Sequence, residues 1–286
     1  MIMEIEIKKG CYRIEDICLV HGITRQAYYQ WKKREINQHY QEEIVLQLVH
    51  EKRKRQPKIG SRKLYYMLKN KLRDLGFRVG RDRLFKILEN NGLLAINKKK
   101  YIRTTNSNHR FRIYTNLIKE VIALRPNQII VGDITYIETD QGFVYLALLT
   151  DLYSRKIIGY DLSKSLSIEG SLRALAMVLK RVKQTEGMIH HSDRGVQYCC
   201  NDYTKKLKDN GISISMAEKG NPYENAVAER VNGILKIEFL LDQKYRTLEQ
   251  ASASVKESIK IYNEERPHMS LGYMTPSEKY QMKVAA

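Results

Sequence analysis

The sequence predicts an α/β core, a mixed sheet flanked by helices, preceded by all-α units of helix-turn-helix type. Three observations carry this reading. Apolar residues recur at helical spacing up to about residue 97 and switch to strand-like alternation after Pro126. The segments beyond Pro126 then read, in order, β-β-β-α-β-α-β-α. Positive charge is crowded into the first part of the chain. Residues 1–113 hold 27 Lys and Arg against 11 Asp and Glu, a net +16, whereas residues 114–286 hold 23 against 21, a net +2. A basic front joined to a near-neutral remainder points to a polyanion partner for the first and a different task for the second.

Within residues 12–33, Ile14, Ile17 and Cys18 take helical spacing, Gly22 breaks it, and Thr24 is placed to cap a second helix with Ala27, Tyr28 and Trp31 inward. Arg25, Gln26, Tyr29 and Lys33 then fall on the outer face, where a recognition helix meets phosphates or base edges. A second helical unit follows. Glu42–Arg55 reads as a helix, Pro57 and Gly60 as a turn, and Ser61 as the cap of a helix to about Lys71 with Leu64, Tyr65 and Leu68 inward. Arg81–Asn90 is another helix, with Leu84, Ile87 and Leu88 inward and Gly92 as its stop. Arg78, Arg81, Arg83 and Lys86 decorate it as candidate DNA contacts. Lys98–Arg112 is basic and poor in aliphatics, as expected of a linker that tracks a nucleic-acid backbone, with Tyr101 and Phe111 available for stacking.

After Pro126, three strands are expected over residues 128–139, 143–150 and 156–162, joined by short turns as an antiparallel meander. A helix over 168–183 places Leu172, Leu175, Ala176 and Leu179 inward. Then come a short strand at 188–191, a helix at 203–210 and a strand at 212–216. In GNPYENAVAERVNGILKIEFLL, Asn221 is placed as N-cap, Pro222 at the first helical position and Glu224 at the third, opening a helix to about Leu241. Its apolar side is Ala226, Val227, Val231, Leu235 and Phe239. Thr247 caps a helix to about Asn263, and Thr275, Pro276 and Glu278 open a short terminal one. The expected division is 1–40 and 41–97 as helical units, 98–122 as basic linker, 123–243 as catalytic core and 244–286 as a helical extension.

Composition narrows the class. The length of 286 residues and 43% hydrophobic content fit a globular chain of one to three domains. No run approaches the ~18–20 apolar residues of a membrane span, and MIMEIEIKKG lacks a secretory apolar stretch and cleavage site. A cytoplasmic protein with no membrane partner is expected. Cys11, Cys18, Cys199 and Cys200 match no zinc or disulfide spacing and are read as reduced and structural.

Three acids carry the candidate chemistry. Asp133 lies mid-strand in VGDITYI, where Asp is disfavoured. Asp193 follows the strand MIHH in HSDRGVQY, and Glu229 lies on the helix after Pro222. Each alone has an ordinary explanation as an edge, turn or solvated residue. Convergent from three elements of one sheet, they would repel without a counter-charge, which hard divalent cations with oxygen ligands supply. Two such ions ~3.5–4 Å apart can promote attack at a phosphodiester and offset the leaving oxygen's charge. Glu229 and Lys236 are seven residues apart, about two turns at ~3.6 residues each, so they share a helix face, with Asn225, Asn232 and Gly233 on the same side.

Taken in order, PNQIIVGDITYI, DLYSRKIIGY, HSDRGVQY, GNPYENAVAERVNGILK and YNEERPHMSLGYMTP resemble the DDE transposases of the retroviral-integrase superfamily. The similarity is specifically to the second-frame product of the IS-three family of insertion sequences, over about residues 12–280. The resemblance implies a ribonuclease-H-like core with Asp133, Asp193 and Glu229 as catalytic residues and metal ligands. It implies two divalent ions, magnesium with manganese able to substitute, and cleavage of insertion-sequence ends followed by joining of the freed 3′-hydroxyl to a second strand. Lys236 matches a basic residue that contacts substrate DNA. Arg194 beside Asp193, with His190 and His191, is a candidate phosphate contact, Tyr198 and Asn225 are candidates to orient the site, and Asn225 is also a candidate DNA contact. Element ends and target DNA are the implied partners, with a homo-oligomer on DNA and an upstream-frame DNA-binding product. Many relatives have Trp at the position of Ile130 and Asp at that of Glu224, and no heptad run is present here. A retroviral-type integrase would carry an N-terminal His/Cys zinc module, for which the spacing is absent. A nuclease of the same fold would cut without joining, and a DNA-binding repressor would do neither.

Overall fold

The computed structural model describes residues 13–95, 110–218 and 225–282. The chain divides into two compact units, Met1–Glu51 with Leu68–Leu94, and Lys52–Met67 with Ala95–Ala286. The helices of the first part are α1 (Ile14–Val20), α2 (Arg25–Arg55), α3 (Ser61–Asp74) and α4 (Arg81–Asn90). The helix expected after Thr24 and the one expected from Glu42 are a single helix of 31 residues. No Gly or Pro lies between Arg25 and Arg55, so nothing stops the helix once the Thr24 hydroxyl has accepted the Ala27 N–H at 3.1 Å. Tyr28 is buried as expected, whereas Ala27 and Trp31 are exposed. Ser61 is the first helical residue of α3, and the Gly60 carbonyl takes the first helical bond in place of a Ser cap. Leu84, Ile87 and Leu88 are buried on α4, and Gly92, two residues past its end, has a positive φ of 65°. The Tyr101 end of the basic linker lies outside the described residues, while Phe111 is exposed.

The second unit is built on a five-stranded sheet. Its elements are β1 (Ile129–Thr139), β2 (Gly142–Asp151), β3 (Ile157–Ser163), α5 (Ile168–Arg181), β4 (Ile189–Ser192), α6 (Val196–Cys199), α7 (Asn201–Asp209), β5 (Ser213–Met216), α8 (Ala226–Glu238), α9 (Leu248–Glu264), a 3₁₀ turn (Met269–Leu271) and α10 (Pro276–Gln281). The order across the sheet is β3-β2-β1-β4-β5. β1, β2 and β3 are antiparallel, and β1, β4 and β5 run parallel. Ile130, Leu149 and Ile158 pack one face against Leu175 and Val178 of α5 and Tyr203 and Leu207 of α7. Ile137, Leu146 and Leu148 pack the other against Val231 and Leu235 of α8 and Val255 and Tyr262 of α9. The sheet is thus covered on both faces, as parallel strands require. On α5 Leu175 is buried and Leu172 and Leu179 pack against the same core, as expected, but Ala174 and Val178 are buried as well and Ala176 is exposed. Gly159 explains the shift: a Cβ there would stand 2.4 Å from the Ala174 carbonyl oxygen, so α5 lies directly on β3 at this point. Among the described residues no helix is long and apolar enough to cross a membrane.

Both predicted caps near the C-terminus form. Thr247 accepts the Gln250 N–H at 3.2 Å, and Thr275 with Glu278 makes a reciprocal capping box. The expected start of α8 at Asn221, Pro222 and Glu224 lies outside the described residues. The described helix is flanked by Asn225 and ends at Glu238.

Candidate active site

β1 is the central strand, and Asp133 is its fifth residue. The last register pair of β1 with parallel β4 is Gly132 with Ser192. Asp133 and Asp193 each follow that pair by one residue, which brings them side by side. Glu229 comes from the first turn of α8, where its N–H donates to the Asn225 carbonyl at 3.1 Å. Asp133 and Asp193 are half-buried, whereas Glu229 is exposed.

The electrostatics report the convergence. Burial, then the neighbouring charge of Asp193, and more weakly that of Glu229, push the Asp133 carboxyl up to about 7. Two hydrogen bonds pull against this. Asn232 Nδ2 donates to Asp133 Oδ2 at 2.7 Å, and the Ile134 N–H donates to Oδ1 at 3.0 Å. Asn225, a candidate DNA contact, is instead buried, and its Nδ2 donates to the Gly132 carbonyl at 3.3 Å, tying the start of α8 to β1 beside the acid. Asp193 Oδ1 accepts the Gly195 N–H at 3.0 Å. Among the described residues no three His, Cys, Asp or Glu side chains are gathered closely enough to hold a metal ion.

Close packing supports the pair of aspartates from behind. A Cβ on Gly132 would stand 3.1 Å from His190 Nε2 and 3.2 Å from the Tyr198 ring, so Gly lets these groups pack closely on the strand beside Asp133. His190 is buried, its Nε2 lies 2.9 Å from the Tyr203 hydroxyl, and burial followed by the proximity of His191 pushes its pKa down to about 3. His191 is also buried, with Nδ1 2.9 Å from Ser215 Oγ. Both histidines are therefore core groups and do not present a surface to phosphate. Tyr198 is 2% exposed, lies close enough to Asp133 and Asp193 to feel both charges, and carries a hydroxyl with no hydrogen-bond partner.

The candidate DNA contacts sit as follows. Arg194 Nε donates to the Ala217 carbonyl at 2.7 Å, which holds its side chain along the end of β5. Lys236 Nζ stands 3.9 Å from the centre of the Tyr136 ring, and burial lowers its pKa against the raising influence of Asp242 and Asp133. In the other unit, Arg25 pairs with Glu15, Gln26, Arg78 and Arg83 are exposed, and Arg81 Nε lies 2.8 Å from Asp82. Sequence reasoning did not assign a role to Asn232 or Gly132. The signals were a polar residue three positions after Glu229 and a Gly immediately before a mid-strand Asp. Asp151 of DLYSRKIIGY is structural: it is fully buried and accepts the Ser154 and Asn127 N–H groups at 2.8 and 2.7 Å.

A family profile described as "Integrase core domain" matches residues 123–222, and a second of the same description matches residues 210–276. The chain is 36% identical to an uncharacterized 31 kDa protein of insertion element IS600 from Shigella sonnei, over 94% of this chain and 100% of that one. It is 30% identical to the transposase InsF for insertion sequence IS3A of Escherichia coli (strain K12), over 96% of each. Among solved structures, a chain of a simian T-cell lymphotropic virus intasome in complex with PP2A regulatory subunit B56 gamma aligns with a TM-score of 0.50 at 15% identity. That alignment covers 80% of this chain and 73% of that one, a likeness of fold.

Proposed function

The chain belongs to the IS3-family transposases of the retroviral-integrase superfamily, and from that premise we propose that Asp133, Asp193 and Glu229 are the acids at which it cuts and joins DNA. As a polynucleotidyl transferase it hydrolyses a phosphodiester at an element end and directs the freed 3′-hydroxyl onto a second strand. The observation that supports the residue assignment is that carboxylates from β1, the β4 end and α8 act on one another: burial first, then the charge of Asp193 and more weakly that of Glu229, push Asp133 up to about 7.

Carboxylate oxygen donors fit hard divalent cations, and magnesium, with manganese as substitute, is the ion proposed. Asp133, Asp193 and Glu229 would hold two such ions. When bound, the cations neutralise the carboxylates and offset charge building on a phosphodiester under attack. The chain's own groups do the remaining work. Asn232 holds the Asp133 carboxylate in one orientation, and Asn225 fixes the start of α8 against β1. Lys236, on the same helix as Glu229, meets DNA leading away from the acids. The basic first part of the chain, with Arg25, Gln26, Arg78, Arg81 and Arg83, grips element ends, and Arg194 lies beside Asp193 for a phosphate. Assembly as a homo-oligomer on DNA, with an upstream-frame product as a further partner, completes the proposal.

The test is Asp193→Asn with labelled element-end DNA. Cleavage and joining are expected to vanish while binding stays within a few-fold of wild type. Joining at the wild-type rate would remove Asp193 from the chemistry, and cutting without joining by the wild-type chain would mark a nuclease.

A further inference from the structure

The face of α8 that carries Glu229, Asn232 and Lys236 is not its only built surface. Residues 227, 230, 231 and 234 form another face, and against it lies a cavity of about 390 Å³, entirely within the second unit. Four basic side chains line it, Lys63, Arg155, Arg230 and Arg266, together with His268, and among the described residues no carboxylate does. Two of the four are already matched: Lys63 and Arg266 both bind Glu238, Lys63 Nζ at 2.6 and 2.9 Å and Arg266 through Nε and Nη2 at 2.8 Å each. Arg155 and Arg230 make no ion pair among the described residues. Arg155 uses one nitrogen, Nη1, on the Leu152 carbonyl at 2.7 Å, and its other donors remain.

A second feature points into the same space. His268 is 7% exposed, its ring packs edge-on against Tyr262 with centroids 5.2 Å apart, and its Nε2 is buried without a hydrogen-bond partner. An orphaned buried polar atom in a cavity wall needs a partner that the protein does not supply. The opposite wall is apolar, with Val227, Ile234 and Met269.

We propose that this cavity binds a nucleotide unit, its phosphate held by Arg155, Arg230 and His268 and its sugar or base laid on the Val227–Ile234 wall. Guanidinium forks match phosphate oxygens bidentately, which a lone ammonium does not. The volume is within the range of small-ligand sites, roughly 300–1,000 Å³, and exceeds what a bare phosphate fills. The shared chemistry is a phosphate ester, supplied by a DNA strand or by a free mononucleotide. Because the site uses the face of α8 turned away from Glu229, occupancy is independent of the three acids.

The experiment uses the full chain carrying Asp193→Asn, in chelator, so that failure of the three-acid reading leaves it unaffected. Binding of fluorescent dAMP and of a ten-nucleotide single strand is measured by anisotropy against Arg230→Glu, Arg230→Gln and Lys205→Glu. Lys205→Glu makes the same change of charge on an exposed stretch of α7. Arg230→Glu is expected to weaken binding at least tenfold and Arg230→Gln three- to tenfold, with Lys205→Glu within twofold. A loss in Arg230→Glu seen with dAMP assigns the site to a free nucleotide, and a loss seen with the strand alone assigns it to DNA; either outcome supports the cavity. Equal losses in Arg230→Glu and Lys205→Glu, or no binding of either probe, would overturn it.

Discussion

Removing the Asn232 amide tests the site at the atom that orients it. Asn232 Nδ2 donates to Asp133 Oδ2 at 2.7 Å, the length of a charge-assisted bond, and Asn232 is itself 5% exposed. A hydrogen bond to a charged group contributes about 1.5–3 kcal/mol, and at ~1.4 kcal/mol per decade this is roughly 10–100-fold in an equilibrium constant. Outer hydrogen-bond partners of metal ligands show a loss of the same size when removed, about 10–100-fold. Asn232→Ala is therefore expected to weaken magnesium-dependent cleavage by one to two decades, with part of the loss recovered at high magnesium. Because that bond holds Asp133 below where burial and Asp193 would push it, its loss also moves the acid limb of the pH–rate profile upward. Cleavage of a labelled element end across a magnesium series and from pH 6 to 9 reads both effects, and urea unfolding confirms that the variant is folded. Cleavage within twofold of wild type at every magnesium concentration, with an unmoved acid limb, would refute the positioning role.

Lys236→Ala should lower end cleavage several-fold more than Lys205→Ala while leaving metal affinity unchanged, and equal activity in the two would return Lys236 to a packing role over Tyr136. Glu238→Gln leaves Lys63 and Arg266 unpaired in a buried position, at a cost of about 3–5 kcal/mol in urea unfolding; a loss under 1 kcal/mol would show that the cations find other partners. Glu238 is held below its ordinary range: burial raises it, but the Arg266 hydrogen bond and the charges of Arg266 and Lys63 outweigh that. The stability it contributes is present above its unfolded value and is lost as pH falls through the lower, folded one, so the cost of Glu238→Gln should shrink in acid. Asp133 has the opposite sign, about 7 folded against 3.8 unfolded. The metal-free chain should therefore lose roughly 2 kcal/mol as pH rises from 5 to 7.5, at ~1.36 kcal/mol per pKa unit. Asp133→Asn should abolish that loss, and parallel unfolding curves for the two proteins would contradict it.

Part of the site was legible because its residues break local rules. An Asp inside the apolar run of β1 violates strand preference, and another Asp directly follows the short β4. The strands themselves were legible from alternation, each within a residue or two of its observed span. Where reading failed, the deciding contact lay far along the chain or the deciding signal was an absence. Ala174 and Val178 face inward on α5 because Gly159 admits that helix backbone, a relation the period of α5 alone does not contain. The fusion of two expected helices into α2 followed from the lack of any breaker, which a search for start and stop signals passes over.

By itself the sequence determined the basic first part, the identity and order of the strands, the caps at Thr247 and Thr275, and the three acids as candidates. These depend on charge, period and hydrogen bonds within a turn or two, which neighbouring residues encode. Only the tertiary structure decided that β4 pairs parallel with β1, so that Asp133 and Asp193 stand side by side. It likewise decided that Asn232 reaches Asp133 from 99 residues away and that four cations gather behind α8. Those facts rest on hydrogen bonds and packing between segments whose meeting no local pattern specifies, and they turn a list of acids into a site.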